Sequence, residues 1–295
     1  MKIFRFISMA LPIALALAAC NNEEPLPDGT TTDGGDEIRI TATVGHFSTG
    51  SGTDTRATIS EEGTGSFVDG DKIGLWTKTA TSAQYSNMQG LSYGNGLWSG
   101  FTQTWADLGE LSIGSPCHFF ALYPQPGTGN VLAAVGETVT FTVQTDQSSD
   151  ANYKASDLLT AFSEYTSKPV DGNVELPFKH AMARIKITLT GAKANTDATV
   201  VIKNVNTQCR LTFGGGIDQL SATTNIIPKK ATDGDYTFYA LVPPQTLGTE
   251  GLKLSVTASG RLMEAKVGGE NNELKSKVLE KGQQYSITLN ITTNE

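Results

Sequence analysis

Ile38-Arg39-Ile40-Thr41-Ala42-Thr43-Val44 carries an apolar side chain at every even position and a polar one at every odd position. Only a chain whose successive side chains point to opposite sides turns that order into one apolar face. The stretch therefore predicts a half-buried β-strand. Its β-branched residues suit a pleated surface. Outward from it, short alternating runs recur to the end of the chain. They predict strands at Ile73–Trp76, His118–Tyr123, Thr138–Val143, Val174–Leu189 and Thr199–Phe213, and then at Tyr236–Val242, Leu252–Ala258, Arg261–Val267 and Gln283–Ile291. Tyr93-Gly94-Asn95-Gly96-Leu97-Trp98 predicts a hairpin, because Asn-Gly tolerates the positive φ that a tight two-residue turn demands. Helical spacing is confined to one short candidate, Lys154–Thr160. The fold class is all-β.

Strands in this number could build one large sandwich or two smaller ones. Lys168-Pro169-Val170-Asp171-Gly172-Asn173 is the richest turn signal among them. Two β-sandwich domains are expected, 37–172 and 173–295, with 37–45 as the first strand of the first.

Ahead of the strands, Lys2 and Arg5 precede an apolar run, Ile7–Ala19, too short to span a bilayer. Leu17-Ala18-Ala19-Cys20 then supplies small residues before a cysteine. That order predicts a signal peptide over 1–19, cleavage between Ala19 and Cys20, and lipidation of Cys20. Acyl chains on Cys20 would anchor the chain to a membrane. Residues 20–36 lack apolar spacing and are rich in Pro, Gly, Thr, Asp and Glu, as a flexible tether is. Asn21-Asn22-Glu23-Glu24 within it fits either an acidic surface-export tag or plain solvated linker.

The formal net charge is −8, and the basic residues form no stripe, so nucleic acid is excluded as a partner. Gly90-Leu91-Ser92-Tyr93-Gly94 has the spacing of a hydrolase nucleophile turn. That turn needs a buried strand before the serine and a helix after it. Polar residues precede it here and a hairpin follows, so no catalytic residue is assigned and the chain is not read as an enzyme. His46, His118 and His180 lack metal-ligand spacing, so neither metal nor cofactor is expected. Asp69, Asp71, Asp233 and Asp235 flank glycines as turn acids do. Cys117 and Cys209 suit buried free thiols, with a disulfide as the alternative outside the cytoplasm. Tyr93, Trp98 and Trp105 suit either a sandwich core or an exposed sugar-stacking surface.

His46–Thr58 is a run of Ser, Thr, Gly and Asp with one basic residue, Arg56, followed by Ala57. Read from its residues alone it is an uncleaved surface loop, or one that an Arg-specific protease would open after Arg56. The cut would release the tether together with Ile38, Ile40, Ala42 and Val44. Were that strand at a sheet edge, its loss would open an apolar groove for another chain's strand.

Cys20, the acidic tether, Thr55-Arg56-Ala57 and Phe67-Val68-Asp69-Gly70-Asp71-Lys72-Ile73-Gly74-Leu75-Trp76 follow one another in an order that resembles the Bacteroidetes fimbrillins, the type V pilins and their accessory proteins. Phe119–Pro124, Asp157–Ala161, Leu176–Ile185, Leu241–Thr246 and Tyr285–Asn290 extend the resemblance over the mature chain. It implies two transthyretin-like β-sandwich domains, export as an outer-membrane lipoprotein, cleavage after the arginine matching Arg56, and assembly by strand exchange with other fimbrial subunits. Only Thr292–Glu295 follow the last strand, so a donor would be that strand itself, or the subunit only receives one. A surface lipoprotein that binds glycan or host protein without polymerising is the alternative.

Overall fold

The computed structural model describes residues 36–48, 65–133, 138–191, 194, 197–213, 216–232, 236–267, 274 and 276–291. Nine strands occupy its first part: β1 (Arg39–Val44), β2 (Lys72–Lys78), β3 (Gln89–Gly94), β4 (Leu97–Ser99), β5 (Cys117–Tyr123), β6 (Val131–Ala133), β7 (Thr138–Thr142), β8 (Leu159–Tyr165) and β9 (Asn173–His180). Seven of them form one sheet in the order β1-β9-β8-β5-β2-β3-β4. Asn95 (φ 52°) and Gly96 (φ 79°) turn β3 into β4 as the sequence predicts. The sheet curls so that its ends approach each other. Glu37 bridges Thr104, just beyond β4, and the Trp105 amide donates to the Asp36 carbonyl at 2.8 Å.

Ten strands follow: β10 (Ala183–Thr190), β11 (Thr199–Thr212), β12 (Gly216–Ile226), β13 (Lys229–Lys230), β14 (Thr237–Val242), β15 (Gln245–Thr246), β16 (Leu252–Ala258), β17 (Arg261–Val267), β18 (Val278–Leu279) and β19 (Gln284–Asn290). One sheet runs β13-β14-β10-β19. Another runs β17-β16-β11-β7-β6, with β12 added on β11, and β15 pairs with β18. β9 starts at residue 173 yet completes the sheet of β1, whereas β6 and β7 precede that residue and join the sheet of β11.

Burial falls into two hydrophobic clusters. One gathers Ile38, Ile73, Leu75, Leu91, Phe119, Leu176 and Phe178 with their neighbours. The other gathers Phe120, Phe141, Ile185, Ile187, Ile202, Leu254 and much of the later chain. The chain passes between them at Ala181-Met182, where the parity of burial changes. β9 buries Val174, Leu176, Phe178 and His180, all even; β10 buries its apolar residues Ala183, Ile185, Ile187 and Leu189, all odd, with Arg184 the one buried residue of the other parity. One strand with a two-residue side-chain period cannot serve both sets on one face. The single strand expected over Val174–Leu189 is therefore two.

The helix also falls earlier than expected. α1 spans Asp150–Ala155, and the Ser149 side chain caps it by accepting from the Asn152 amide at 3.2 Å. Leu158 and Leu159, read as part of a helix, instead enter the two clusters as β8 begins.

Candidate strand-exchange site

β1 is an edge strand. Its partner is β9, which it meets in parallel from Arg39 opposite Asn173 to Val44 opposite Phe178. Alternation decides what it buries. Ile38 and Ile40 are 5% and 7% exposed, and Ala42 and Val44 are half-buried against the same cluster, while Arg39, Thr41 and Thr43 face outward. Burial of an isoleucine side chain stabilises a fold by about 1.5–3 kcal/mol. The four residues expected to form the exchange segment thus share one face and line one groove.

Polar contacts fix both ends. At the start, the Ala106 amide donates to the Asp36 carboxylate at 3.0 Å, and Lys168 lies 3.8 Å from it. Arg39 N and Trp105 Nε1 both donate to the Gly172 carbonyl, at 3.3 and 3.2 Å. At the far end the Gly45 amide donates to the Phe178 carbonyl at 2.8 Å. Beyond it, Ser48 N donates to the Gly282 carbonyl at 2.7 Å, and the Ser48 carbonyl accepts from Gln284 N at 2.8 Å.

Between these anchors Phe47 enters the second cluster. It is 4% exposed, and its ring stacks on the His180 imidazole with centroids 3.8 Å apart and planes 19° apart. His180 Nδ1 lies 2.9 Å from Asp157 Oδ1, both side chains being fully buried. The Arg184 guanidinium, also fully buried, lies 5.9 Å from the Phe47 ring centre and 4.2 Å from that of Tyr239. Burial pushes the nearby Tyr153 hydroxyl up to about 12, against the pull of Arg184.

A cavity of about 280 Å³ opens beside Val44, lined by Phe67, Tyr123, Tyr153, Lys154 and Asp157 among others. Lys154 Nζ meets Asp71 at 2.9 Å, and Tyr123 donates to the same carboxylate at 3.3 Å. Lys229 meets Asp150 at 2.6 Å. The cations around this cavity are already paired.

Ala19, Cys20, Arg56 and Ala57 lie outside the described residues. Ser92 sits within β3, paired with Lys72 and Ser99, and a hairpin turn follows. That is strand geometry with no sharp strand-to-helix turn. Trp105 is buried at 4% exposure, and Trp98 packs against Phe67 and Tyr93 with centroids 4.9 and 5.0 Å away, so these rings belong to the core and its lip. His118 faces Glu164 at 3.2 Å. Cys117 and Cys209 are buried free thiols in separate clusters, and burial pushes them up to about 11 and about 12. Among the described residues, no three His, Cys, Asp or Glu side chains are grouped to hold a metal ion.

A fimbrillin-like family profile matches residues 55–295. The chain belongs to the fimbrillin-like family. The family is one of structural and adhesive subunits of surface fimbriae, and this fimbrillin-like chain is such a subunit, not an enzyme. No curated protein matches it. A protein assigned to cell adhesion from Bacteroides ovatus is similar in structure, with a TM-score of 0.61, 16% identity, and coverage of 86% of this chain and 91% of that one. One from Bacteroides uniformis gives 0.57 at 23% identity, covering 77% and 88%. The tip fimbrial protein Mfa3 from Porphyromonas gingivalis, truncated at its C-terminus, gives 0.52 at 10% identity, covering 77% and 91%. At these identities the likeness is one of fold. Matching starts at residue 55, so the profile leaves out β1 and Phe47.

Sequence reasoning missed Phe47, Asp157, His180 and Arg184 as a group. The available signal was Arg184 inside an apolar run, next to the change of parity at Ala181-Met182.

Proposed function

We propose that this fimbrillin-like subunit is exported as a lipoprotein held through Cys20, is cut after Arg56, and then assembles by strand exchange beside β9. One observation carries the proposal: β1 is an edge strand, parallel to its partner, and every side chain it buries lies N-terminal to Arg56. Departure of this leader would bare the backbone edge of β9 and an apolar groove. An extended segment of another subunit supplies both the hydrogen bonds and the side chains to refill them. Main-chain pairing would give affinity, and alternate side chains would set register. The division into two sandwiches is proposed at Ala181-Met182, where the parity of burial changes, with β6 and β7 lent to the later one.

Binding of glycan by a non-polymerising lipoprotein loses its motivating feature, since Trp105 is buried and Trp98 is packed on Phe67. Brief treatment of the full chain with an Arg-specific protease tests the proposal. Mass spectrometry is expected to find an early cut after Arg56, and denaturing gels of unheated samples are expected to show ladders. A cut chain that loses its leader yet stays monomeric would refute strand exchange. Labelling with a palmitate analogue, abolished by Cys20→Ala, tests the anchor.

A further inference from the structure

The leader is anchored in both hydrophobic clusters, by two different kinds of contact. Ile40 in β1 and Ile38 just before it fill the first cluster, whereas Phe47 fills the second. Gly45 ends the strand pairing by donating to the Phe178 carbonyl, and Ser48 is held between Gly282 and Gln284. The step from groove to socket is thereby fixed at three residues, Val44 to Phe47.

The socket beneath Phe47 is built by parts of the chain that stay behind after a cut at Arg56. His180 ends β9, and Asp157 holds its Nδ1 at 2.9 Å. Arg184, at the start of β10, adds its guanidinium 5.9 Å from the ring centre and is itself stacked over Tyr239. A flat ring gains from a stacked imidazole and a nearby cation, because both act on its π face. A branched aliphatic side chain would occupy the volume without either gain.

We infer that the strand replacing β1 is read in both clusters at once: apolar residues at alternate positions fill the groove beside β9, and an aromatic residue three positions beyond the last of them seats on His180. The partner is an extended segment of a neighbouring subunit, running parallel to β9. This rests on the strand-exchange proposal and adds the side-chain chemistry its donor must carry. A segment with the alternating residues alone would pair and then slide or detach. The aromatic anchor fixes register where the groove's small step at Ala42 does so weakly.

The test uses the full chain, cut after Arg56, with the leader's rate of release followed by size exclusion. Phe47→Ala is expected to speed release about a hundredfold and Phe47→Leu about tenfold, as truncation and reshaping of a buried ring imply. Ile40→Ala, in the groove, serves as the comparison and is also expected to speed release. Should Phe47→Ala not fold uncut, the milder Phe47→Leu, which keeps a large apolar side chain, carries the test. Excess synthetic peptide spanning Glu37–Ser48 is expected to replace the leader, and the same peptide with Phe47→Ala is expected to fail. Release at the wild-type rate from both Phe47 variants, with fast release from Ile40→Ala, would overturn the socket and leave strand exchange standing. Unchanged release from all three would overturn both.

Discussion

Shortening Ile40 to alanine is expected to weaken the uncut chain and leave its assembled, leader-free form unchanged. Ile40 is 7% exposed, sits opposite Val174 on β9, and shares its cluster with Ile38, Leu176 and Phe178. Truncation of a buried isoleucine to alanine costs about 2–5 kcal/mol, and an edge strand that can settle inward lies in the lower part of that range, about 2–4 kcal/mol. For a fold of this size each kcal/mol moves the midpoint by about 2–4 °C, which gives a fall of roughly 4–16 °C. Scanning calorimetry on the uncut wild-type and Ile40→Ala chains reads this directly. The same comparison on protease-matured polymer supplies the second arm of the cycle, since residue 40 would be gone from it. A midpoint that falls equally in both forms would show that the leader remains in the polymer. No fall in the uncut chain would show that β1 contributes nothing to the groove. Either result refutes the reasoning.

Two further outcomes follow from the same packing. Trp105→Phe removes the Nε1 bond to the Gly172 carbonyl, which keeps its bond from Arg39; a loss of about 1 kcal/mol is expected, read as a lower urea midpoint at unchanged slope. Cys117 and Cys209 are raised by burial above the ordinary thiol value of 9.0, so the folded state holds their protons after the unfolded state has released them. Stability is then full below pH 9 and falls as pH rises toward about 11–12. The double variant Cys117→Ala, Cys209→Ala is expected to flatten that fall in equilibrium unfolding measured across the range.

Local order was legible wherever neighbours in sequence decide it. Alternation in Ile38–Val44 marks β1, and Asn95-Gly96 marks the hairpin, because side-chain direction and allowed φ are properties of a few adjacent residues. Neither the edge position of β1 nor its parallel pairing could be read that way. Both depend on residues 173–178, far along the chain, and parallel pairing leaves no turn to announce it. Burial of Trp105 was equally hidden, since its indole reaches across to Gly172. Phe47 escaped notice for a related reason. It follows Gly45, outside the alternating run, and its partner His180 gains meaning only where β9 stops and β10 begins. The parity change at Ala181-Met182 was present in the letters of the sequence, but a run of consecutive apolar residues reads more readily as continuation than as a change of face.

The hydrogen bonds around Ser48 predict that losing the leader also loosens the last strand. Among the described residues β19 lies at the edge of its sheet and pairs with β10 alone, from Gln284 opposite Arg184 to Asn290 opposite Thr190. Its root is held by Ser48, which donates to the Gly282 carbonyl at 2.7 Å and accepts from Gln284 N at 2.8 Å, in a parallel bridge to Gln283. Gly282, at φ 68°, turns the chain into that bridge, and a side chain there would come within 3.3 Å of the His180 carbonyl. Removal of the leader deletes both Ser48 bonds and withdraws Phe47 from beside His180. Two such bonds are worth about 0.5–1.5 kcal/mol each, which corresponds to roughly five- to a hundred-and-fiftyfold more frequent opening. Hydrogen exchange read by mass spectrometry is expected to show that loss of protection in Gln284–Asn290 once the leader is released. Thr237–Val242 of β14, flanked by β13 and β10, is the internal control and is expected to keep its protection. Equal change in both strands would mean general weakening, and no change in either would mean that β19 is held by β10 alone. With the expected result, release of the leader proposed above would bare the edge of β9 and loosen β19 in one step.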